Sequence, residues 1–438
     1  MTVPPPNPLV PYPPQWLVEG AAHLWLPYTQ MQTVPMALPV ARTDGVRIIL
    51  EDGRELIDGI SSWWTAAHGY NHPHIRAAVV EQIEKLPHVM LGGLAHEPAA
   101  RLARRLAALT PGDLAHVFFS ESGSVSVEIA MKIAVQYWIN QGTSGQGGRR
   151  RTRFVSFKGG YHGDTLATMS VCDPEEGMHS LFKGAIAEQV LGELPVDEAA
   201  TARLDSLLTQ HKGTLAAVLV EPLVQGAGGM VFHDAATLKR LRALCDAHDL
   251  LLIADEIFTG FGRTGAMFAC EEAGIVPDIM TLSKALTGGT LPLAATIARR
   301  HVFEAFLGDS PAKALMHGPT YQGNALACAA ANASLDLFAS EPRLAQVAAI
   351  STQLARELEP ARALPGVRDV RVKGAIGVIE LETMHDLDGL KARFVEAGVW
   401  IRPFGRIVYT TPPLVIGTGD LAQITGAMVN AVADHLLP

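Results

Sequence analysis

Cysteines are few in this sequence. Four of the 438 residues are cysteines, and none stands in Cys-x-x-Cys spacing: Cys172, Cys245, Cys270 and Cys328. This scatter argues against a disulfide framework and against a cysteine-held zinc ion, and it fits a reducing compartment. We therefore expect a cytoplasmic protein that carries no metal.

Long apolar runs are also missing. No uninterrupted apolar run approaches the roughly 20 residues of a membrane-spanning helix. The amino-terminal residues have no charged region followed by an apolar core, and they are rich in proline from Pro4 to Pro14. This pattern predicts an extended arm rather than a signal peptide, and no membrane partner.

Positive charge is scarce. The formal net charge of −9 argues against a nucleic-acid partner, because binding to phosphate backbones depends on clustered Lys and Arg. The densest basic run, Arg149 to Arg151 with Arg153, follows a Gly- and Ser-rich stretch and predicts a solvated surface loop. His72 and His74 flank Pro73 without a third ligand nearby, which indicates turn and helix-start residues rather than a metal pair.

Apolar core material, in contrast, is plentiful. Hydrophobic residues make up 48% of the chain, and its length suggests two packed units. Short apolar runs alternate with helical patterns between about residues 75 and 300, which predicts an α/β fold with a mainly parallel central sheet covered by helices on both faces. A shorter α/β pattern beyond about residue 340 has its own apolar faces and predicts a second domain.

Two of the apolar runs lead into side chains that enzymes use in catalysis. Leu250 to Ala254 ends in Asp255, and Ile279 to Leu282 is followed within two residues by Lys284. If both runs are buried strands, their ends deliver a carboxylate and an amine into one crevice. A lysine forms an imine with the aldehyde of pyridoxal phosphate, and an acid keeps the pyridine nitrogen protonated. Seen alone, the pair fits a solvated lysine and a helix-capping aspartate better.

Two further strand ends change that balance. Val117 to Phe119 runs into Ser122, Gly123 and Ser124 before a helical stripe, an arrangement that points free amides at an anion, although alone it fits a plain helix cap. A second strand ends near Tyr161, an aromatic beside glycines that can lie against a planar ring, although alone it more often packs a loop. Together with Asp255 and Lys284, these groups make a cofactor site the better interpretation.

The chain also carries longer stretches with a family resemblance, which extends from the end of the arm to about residue 413. They are His23–Met31, Ser61–Pro73, Ser122–Met131, Tyr161–Asp164, Ser170–Asp173, Glu221–Met230, Leu251–Gly265, Lys284–Gly289, His317–Thr320, Gly323–Leu335 and Gly398–Gly405. Together they resemble the class III pyridoxal-phosphate aminotransferases of fold type I. The resemblance implies a large cofactor-binding domain at 61–331 and a smaller α/β domain built from both termini, with an arm and part of the small domain at 1–60 and the rest at 332–438.

The resemblance also implies a role for each matching position. The catalytic residues would be Lys284, Asp255 and Tyr161. The lysine would be linked to pyridoxal 5'-phosphate, the carboxylate would pair with its pyridine nitrogen, and the tyrosine would lie over its ring. The phosphate would be bound by Gly123 and Ser124, and by Pro319 and Thr320, with Thr320 reaching it from the partner subunit of a homodimer. The substrate pocket would be lined by Tyr28, Trp63, Tyr161, Gly318 and Arg402.

The most selective motifs are the paired tryptophans, Trp-x-Pro-Tyr, and the run from Trp400 to Gly405. They imply the branch of the family that moves the amino group of S-adenosylmethionine to 8-amino-7-oxononanoate in biotin biosynthesis. Leu26 stands where a histidine is expected, which removes a polar group near the pocket. Ala227 stands where ω-amino-acid members often carry Glu, which favours the narrower assignment. The alternatives are another amine donor, an ω-amino acid or a diamine, and a non-catalytic protein that only binds the cofactor.

Overall fold

Helices and strands alternate over most of the chain. The computed structural model describes residues 4–142, 150–175, 180–182 and 184–436. The helices are α1 (Gln15–Ala21), α2 (Ser61–Trp64), α3 (Pro73–Lys85), α4 (Glu97–Leu109), α5 (Gly123–Asn140), α6 (Leu166–Ser170), α7 (Glu198–Gln210), α8 (Ala235–Ala247), α9 (Ala269–Ala273), α10 (Arg300–Glu304), α11 (Ala325–Ser340), α12 (Arg343–Leu358), α13 (Leu387–Glu396) and α14 (Thr418–His435). Short 3₁₀ helices span Ser180–Phe182, Lys284–Thr287, Pro311–Lys313 and Glu359–Ala363.

The strands form one large sheet and three smaller ones. They are β1 (Val40–Asp44), β2 (Arg47–Leu50), β3 (Glu55–Asp58), β4 (Leu114–Ser120), β5 (Arg153–Phe157), β6 (Val190–Gly192), β7 (Leu215–Val220), β8 (Val224–Gln225), β9 (Val231–Phe232), β10 (Leu251–Asp255), β11 (Ile279–Leu282), β12 (Ala294–Arg299), β13 (Val367–Lys373), β14 (Ile376–Leu381), β15 (Val399–Trp400) and β16 (Ile407–Thr410). The large sheet has the order β4-β12-β11-β10-β7-β5-β6. Within it, β12 runs opposite to the six other strands, so the predicted mainly parallel sheet is confirmed.

The large sheet is buried on both faces. Every residue of β7 and β10 is buried, as expected for continuous apolar runs in a parallel sheet. Successive side chains point to opposite faces: Ile253 packs in the apolar layer that contains α5, whereas Leu252 packs in the layer that contains α8. The helices on the two faces therefore hold the central strands rigidly, and with them the residues at their ends.

The two ends of the chain meet in a smaller unit. β2 and β3 form an antiparallel hairpin around Asp52-Gly53, and β3 also pairs in parallel with β15 from the carboxyl-terminal part. β13, β14 and β16 form a separate antiparallel sheet. The boundary predicted at 331/332 lies inside α11, which packs against α3 and α4 of the larger unit. The domain division therefore stays a prediction.

The structure tests the remaining expectations from composition. Cys172, Cys245, Cys270 and Cys328 are free and buried. In the ranges that the structure describes, no helix is long and apolar enough to cross a membrane, and no group of His, Cys, Asp and Glu side chains could hold a metal ion.

One prediction about the basic run was wrong in part. Arg149 lies outside the described residues. Arg151 is not a freely solvated side chain, because its guanidinium stacks 3.7 Å from the centre of the Trp138 ring and pairs with Asp249 at 2.9 Å.

His72 accepts a hydrogen bond from the amide of His74 at the start of α3, so the helix-start interpretation is confirmed.

Candidate active site

Four strands of the large sheet deliver polar side chains to one edge. β10 ends at Asp255, β7 is followed by Glu221, β11 by Lys284 two residues later, and β5 leads into the loop of Tyr161. Because these strands are parallel to one another, their carboxyl ends meet at the same edge. The convergence that the sequence predicted for Asp255 and Lys284 is therefore present.

Asp255 is paired with a histidine at this edge. The Nδ1 of His162 lies 2.8 Å from Oδ2 of Asp255, and both side chains are almost completely buried. Burial alone lowers the pKa of His162, but its hydrogen bond to Asp255 and the charges of Asp255 and Glu221 raise it above its usual value. The hydrogen bond to His162 therefore fixes the position of the Asp255 carboxyl group.

Glu221 is a second buried carboxyl group beside this pair. It accepts hydrogen bonds from the amides of Tyr161, at 2.9 Å, and Gly226, at 3.0 Å. Burial, together with the charge of Asp255, raises the pKa of Glu221 to about 7, against the opposing effect of His162 and the two amides. The carboxyl group thus holds the tyrosine loop against the end of β7.

Lys284 lies in strained backbone at the end of β11. Its φ of 49° is in the left-handed region, which an L-residue with a side chain rarely adopts. Its Nζ is 4.6 Å from the centre of the Trp64 ring. Burial lowers the pKa of the Lys284 amine, although the charges of Asp255 and Glu221 act in the opposite direction. A larger fraction of this amine is therefore uncharged than of a solvated lysine.

The amino terminus of α5 offers an anion site next to the strand ends. Ser122 caps the helix by accepting from the amide of Val125, while the amides of Gly123 and Ser124 have no acceptor among the described residues. A Cβ on Gly123 would lie 3.1 Å from the side chain of Ile257. The loop that follows Tyr161 closes over this end, because the amide of Asp164 donates to Oγ of Ser124 at 3.2 Å.

The arm contributes a tyrosine to the same edge. The hydroxyl of Tyr28 lies 3.2 Å from that of Tyr161, and both hydroxyls donate to the carboxylate of Asp164. Burial and the Asp164 bond raise the pKa of Tyr28 to about 12, and burial followed by the Tyr28 contact raises the pKa of Tyr161 as well. Both phenols therefore stay protonated and can donate hydrogen bonds.

Trp63 and Arg402 form the outer wall beside Tyr28. The Trp63 ring stands edge-on to the Tyr28 ring at 6.2 Å, and the guanidinium of Arg402 lies 4.7 Å from the Trp63 ring centre. Across the described part of the chain, no carboxylate lies within 4.0 Å of this guanidinium. Tyr28 and Arg402 also line a cavity of about 500 Å³ between the arm and the carboxyl-terminal unit. An unpaired cation at such a mouth suits a ligand carboxylate.

The segment around Thr320 is separate from this cluster within one chain. Gly318 and Thr320 are exposed, and no hydrogen bond or ring contact of the described residues joins them or Pro319 to Lys284. Lys132 of α5 fastens the segment by its bond to the carbonyl of Met316. The roles predicted for Gly318, Pro319 and Thr320 stay predictions.

The two departures from the family pattern, Leu26 and Ala227, lie in different environments. Leu26 lines the cavity beside Tyr28. Ala227 stands between two tightly packed glycines, since a Cβ on Gly226 would lie 2.8 Å from Phe258 and one on Gly228 would lie 1.7 Å from a backbone oxygen. The chain thus has an apolar side chain at both positions.

The structure adds site residues that sequence reasoning did not single out. They are His162, Glu221, Asp164 and Trp64. The first two carried a usable signal, because Glu221 ends a strand as Asp255 does and His162 follows Tyr161 at a strand end. Asp164 carried no equivalent signal, and Trp64 stood out only as one of the paired tryptophans, since their partners Tyr28 and Lys284 are distant in sequence.

Comparisons with known proteins agree on one family. The profile described as "Aminotransferase class-III" matches residues 28–432. The adenosylmethionine-8-amino-7-oxononanoate aminotransferase of Mycobacterium leprae (strain TN) is 48% identical over 419 residues, which cover 94% of this chain and 95% of the relative. Among solved structures, the enzyme of the same name from Methanocaldococcus jannaschii DSM 2661 has a TM-score of 0.91 at 33% identity, covering 97% of this chain and 99% of that one. An (S)-enantioselective omega-transaminase from Thermomicrobium roseum has a TM-score of 0.88 at 30% identity, covering 97% and 98%.

Proposed function

The chain belongs to the class III aminotransferase family, and from that premise we propose that it moves the amino group of S-adenosylmethionine to 8-amino-7-oxononanoate. The product would be 7,8-diaminononanoate, in biotin biosynthesis. The observation that carries this choice of substrates is the 48% identity, over 94% of the chain, to a relative named for that reaction. The unpaired Arg402 guanidinium on Trp63 supports it, because the acceptor carries a carboxylate.

The donor set fits pyridoxal 5'-phosphate. Lys284 supplies an amine for the aldehyde, Asp255 a carboxylate for the ring nitrogen, and the amides of Gly123 and Ser124 donors for the phosphate. Tyr161 supplies an aromatic face beside them. When bound, this cofactor supplies an aldehyde that takes up the amino group and a ring that draws electrons away from the carbon that carried it.

The chain's own residues supply positioning and proton transfer. Lys284 Nζ, made less basic by burial, is suited to take a proton from the substrate carbon and return it. His162 holds the Asp255 carboxyl group in place by their hydrogen bond, and this carboxyl group would bind the ring nitrogen of the cofactor. The hydroxyls of Tyr28 and Tyr161, ordered by Asp164, stay protonated at the mouth. Arg402 would bind the acceptor carboxylate and thereby set the distance of its carbonyl from Lys284.

Two experiments test the chemistry. The absorbance of the bound cofactor, recorded before and after S-adenosylmethionine, should change as the amino group is transferred. Lys284→Ala should abolish turnover and alter that absorbance, whereas Lys239→Ala, which removes an exposed lysine from α8, should leave both unchanged. Turnover by Lys284→Ala at the normal rate would contradict the assignment of Lys284.

A second candidate is transamination with another donor. The structural similarity to an omega-transaminase supports it, whereas Ala227 and the unpaired Arg402 favour the first proposal. A donor panel separates them: conversion by a simple amine or diamine, with none by S-adenosylmethionine, would overturn the first proposal. A coloured protein that reacts with no amine would indicate a non-catalytic cofactor-binding protein.

We also propose that the site is shared between two subunits. The exposure of Thr320 supports a role in the site of a partner chain. If Lys284 and Thr320 of one site come from different chains, a mixed dimer of Lys284→Ala and Thr320→Ala subunits contains one intact site and regains activity. If both come from one chain, the mixed dimer has no intact site. Light scattering of the purified protein measures the dimer directly.

A further inference from the structure

The paired tryptophans lie in a left-handed turn. Ser61, Ser62, Trp63 and Trp64, which make up α2, have φ values of 49°, 46°, 56° and 73°. None is a glycine, so each Cβ is crowded against a carbonyl oxygen in this conformation. Four such residues in succession persist only where the surroundings hold them, and such strain clusters at functional sites.

Asp58 is the buried anchor of this turn. Its Oδ1 accepts from the amide of Ile60 at 2.9 Å, and its Oδ2 accepts from the amide of Ser62 at 2.8 Å and from the hydroxyl of Tyr70 at 2.5 Å. Tyr70 also bonds the hydroxyl of Ser62. The Asp58 side chain is completely buried. Its three acceptor contacts therefore fix the turn at its entry and at its second residue.

The same turn is fastened to the segment that carries Arg402. The amide of Gly59 donates to the carbonyl of Trp400 at 3.0 Å. The hydroxyl of Ser61 donates to the carbonyl of Thr411 at 2.7 Å. A Cβ on Gly59 would lie 3.0 Å from the side chain of Ile401. The turn and the arginine segment thus share one backbone frame.

The turn sends its two tryptophans to different parts of the site. Trp63, 37% exposed, lies under the guanidinium of Arg402, whereas Trp64 is 9% exposed and faces the amine of Lys284. Trp64 also packs against Phe258, with ring centres 4.1 Å apart. A change in the backbone of α2 therefore moves an aromatic on the substrate side and an aromatic on the lysine side together.

We propose that Asp58 is a positioning residue, which holds α2 left-handed and thereby sets Trp63 against Arg402 and Trp64 against Lys284. Asp58 touches neither substrate nor reacting atoms and acts only through the turn. The Trp63 part of the inference rests on the proposed function, because it assumes a substrate carboxylate at Arg402. The Trp64 part does not depend on the identity of the substrates.

The first test measures the conformation of the turn directly. Holoenzyme labelled with 5-fluorotryptophan should give resonances for Trp63 and Trp64 that single Trp→Phe variants assign. Asp58→Asn places an amide nitrogen among three donors and should shift both resonances. Tyr70→Phe removes one of the three bonds and should shift them less. Two unshifted resonances in folded Asp58→Asn protein would overturn the proposal, whatever the substrates are. If Asp58→Asn does not fold, unshifted resonances in Tyr70→Phe overturn it.

The second test separates positioning from general stability. Asp58→Asn should raise KM for the carboxylate acceptor by about tenfold, as one weakened contact would. Adding Ser62→Gly should restore much of the loss, because glycine adopts positive φ without strain. Asp249→Gly is the matched control, since Asp249 has a φ of 52° but lies before β10, at the opposite edge of the sheet. If Ser62→Gly and Asp249→Gly restored KM equally, Asp58 would act only through overall stability, and the positioning role would be overturned. No turnover by unmodified protein, with shifted resonances in Asp58→Asn, would reject the proposed substrates and not the role of Asp58.

Discussion

Replacing His68 by glutamine should make the protein less sensitive to acid. The ring of His68 is 3% exposed. Its Nδ1 accepts from Nε of Arg343 at 3.0 Å, and its Nε2 lies 3.0 Å from the hydroxyl of Ser334, which in turn bonds the carbonyl of Ala285. The histidine is therefore neutral, and it buttresses the turn that carries Lys284.

The size of the effect follows from the pKa of His68. Burial, followed by the charges of Arg343 and of His72, lowers this pKa from 6.5 to about 3. Below pH 6.5 the unfolded chain takes up a proton at this position, but the folded chain does not do so until about pH 3. The folded state is thus destabilised as pH falls through that window. At pH 4.5 the loss corresponds to two pH units, or roughly 3 kcal/mol, relative to neutral pH.

Glutamine at position 68 changes the stability of the protein at both neutral and acidic pH. Its amide can still donate to Ser334, but it leaves Arg343 with one bond fewer, so His68→Gln should cost about 1–3 kcal/mol at pH 7.5. At pH 4.5 the variant should have recovered roughly 3 kcal/mol relative to the unmodified protein, because it has no group at position 68 that the unfolded chain protonates there. The two proteins should then unfold at similar urea concentrations.

The measurement is urea unfolding at pH 7.5 and 4.5, followed by fluorescence at one fixed protein concentration, since an oligomer's stability depends on concentration. His23→Gln serves as a control for removing an imidazole from an exposed position. A difference in unfolding free energy between His68→Gln and the unmodified protein that is the same at both pH values would refute the reasoning. It would mean that His68 is protonated in the folded protein or does not report on folding.

Two further predictions concern packing and binding. Gly228→Ala would place a Cβ 1.7 Å from the carbonyl oxygen of Gly159. It should destabilise the protein by about 3 kcal/mol, measured as a fall in Tm. Gly426→Ala is the control and should cause no such fall, because the added Cβ would meet no neighbouring group within 4 Å. Arg402→Gln should raise KM for the acceptor about 100-fold with little change in kcat, because it removes charge-assisted bonds worth about 3 kcal/mol. Arg406→Gln changes a nearby exposed arginine and should leave KM unchanged. Equal effects of the two substitutions would refute a direct contact between Arg402 and the acceptor.

Local patterns in the chain predict the large sheet and the polar residues at the carboxyl ends of its strands. The apolar runs before Asp255 and Lys284 alternate with helical patterns, which predicts buried strands, and parallel strands bring their carboxyl ends together. The free amides at Gly123 and Ser124 followed from a polar turn between a strand and a helix. Such inferences succeed because each depends on residues that are close in the chain or on a rule of strand direction.

The contacts between distant segments depend on the packing of the whole fold. Nothing local indicates that His162 pairs with Asp255, or that Asp58 holds the turn of Trp63 and Trp64 in a left-handed conformation. Local propensity opposes that conformation, since every residue of the turn carries a Cβ. It exists because β3 packs beside β15 and the end of β16, which both lie more than 300 residues further along the chain. The sequence specifies which groups the chain has, and long-range packing determines which of them act together.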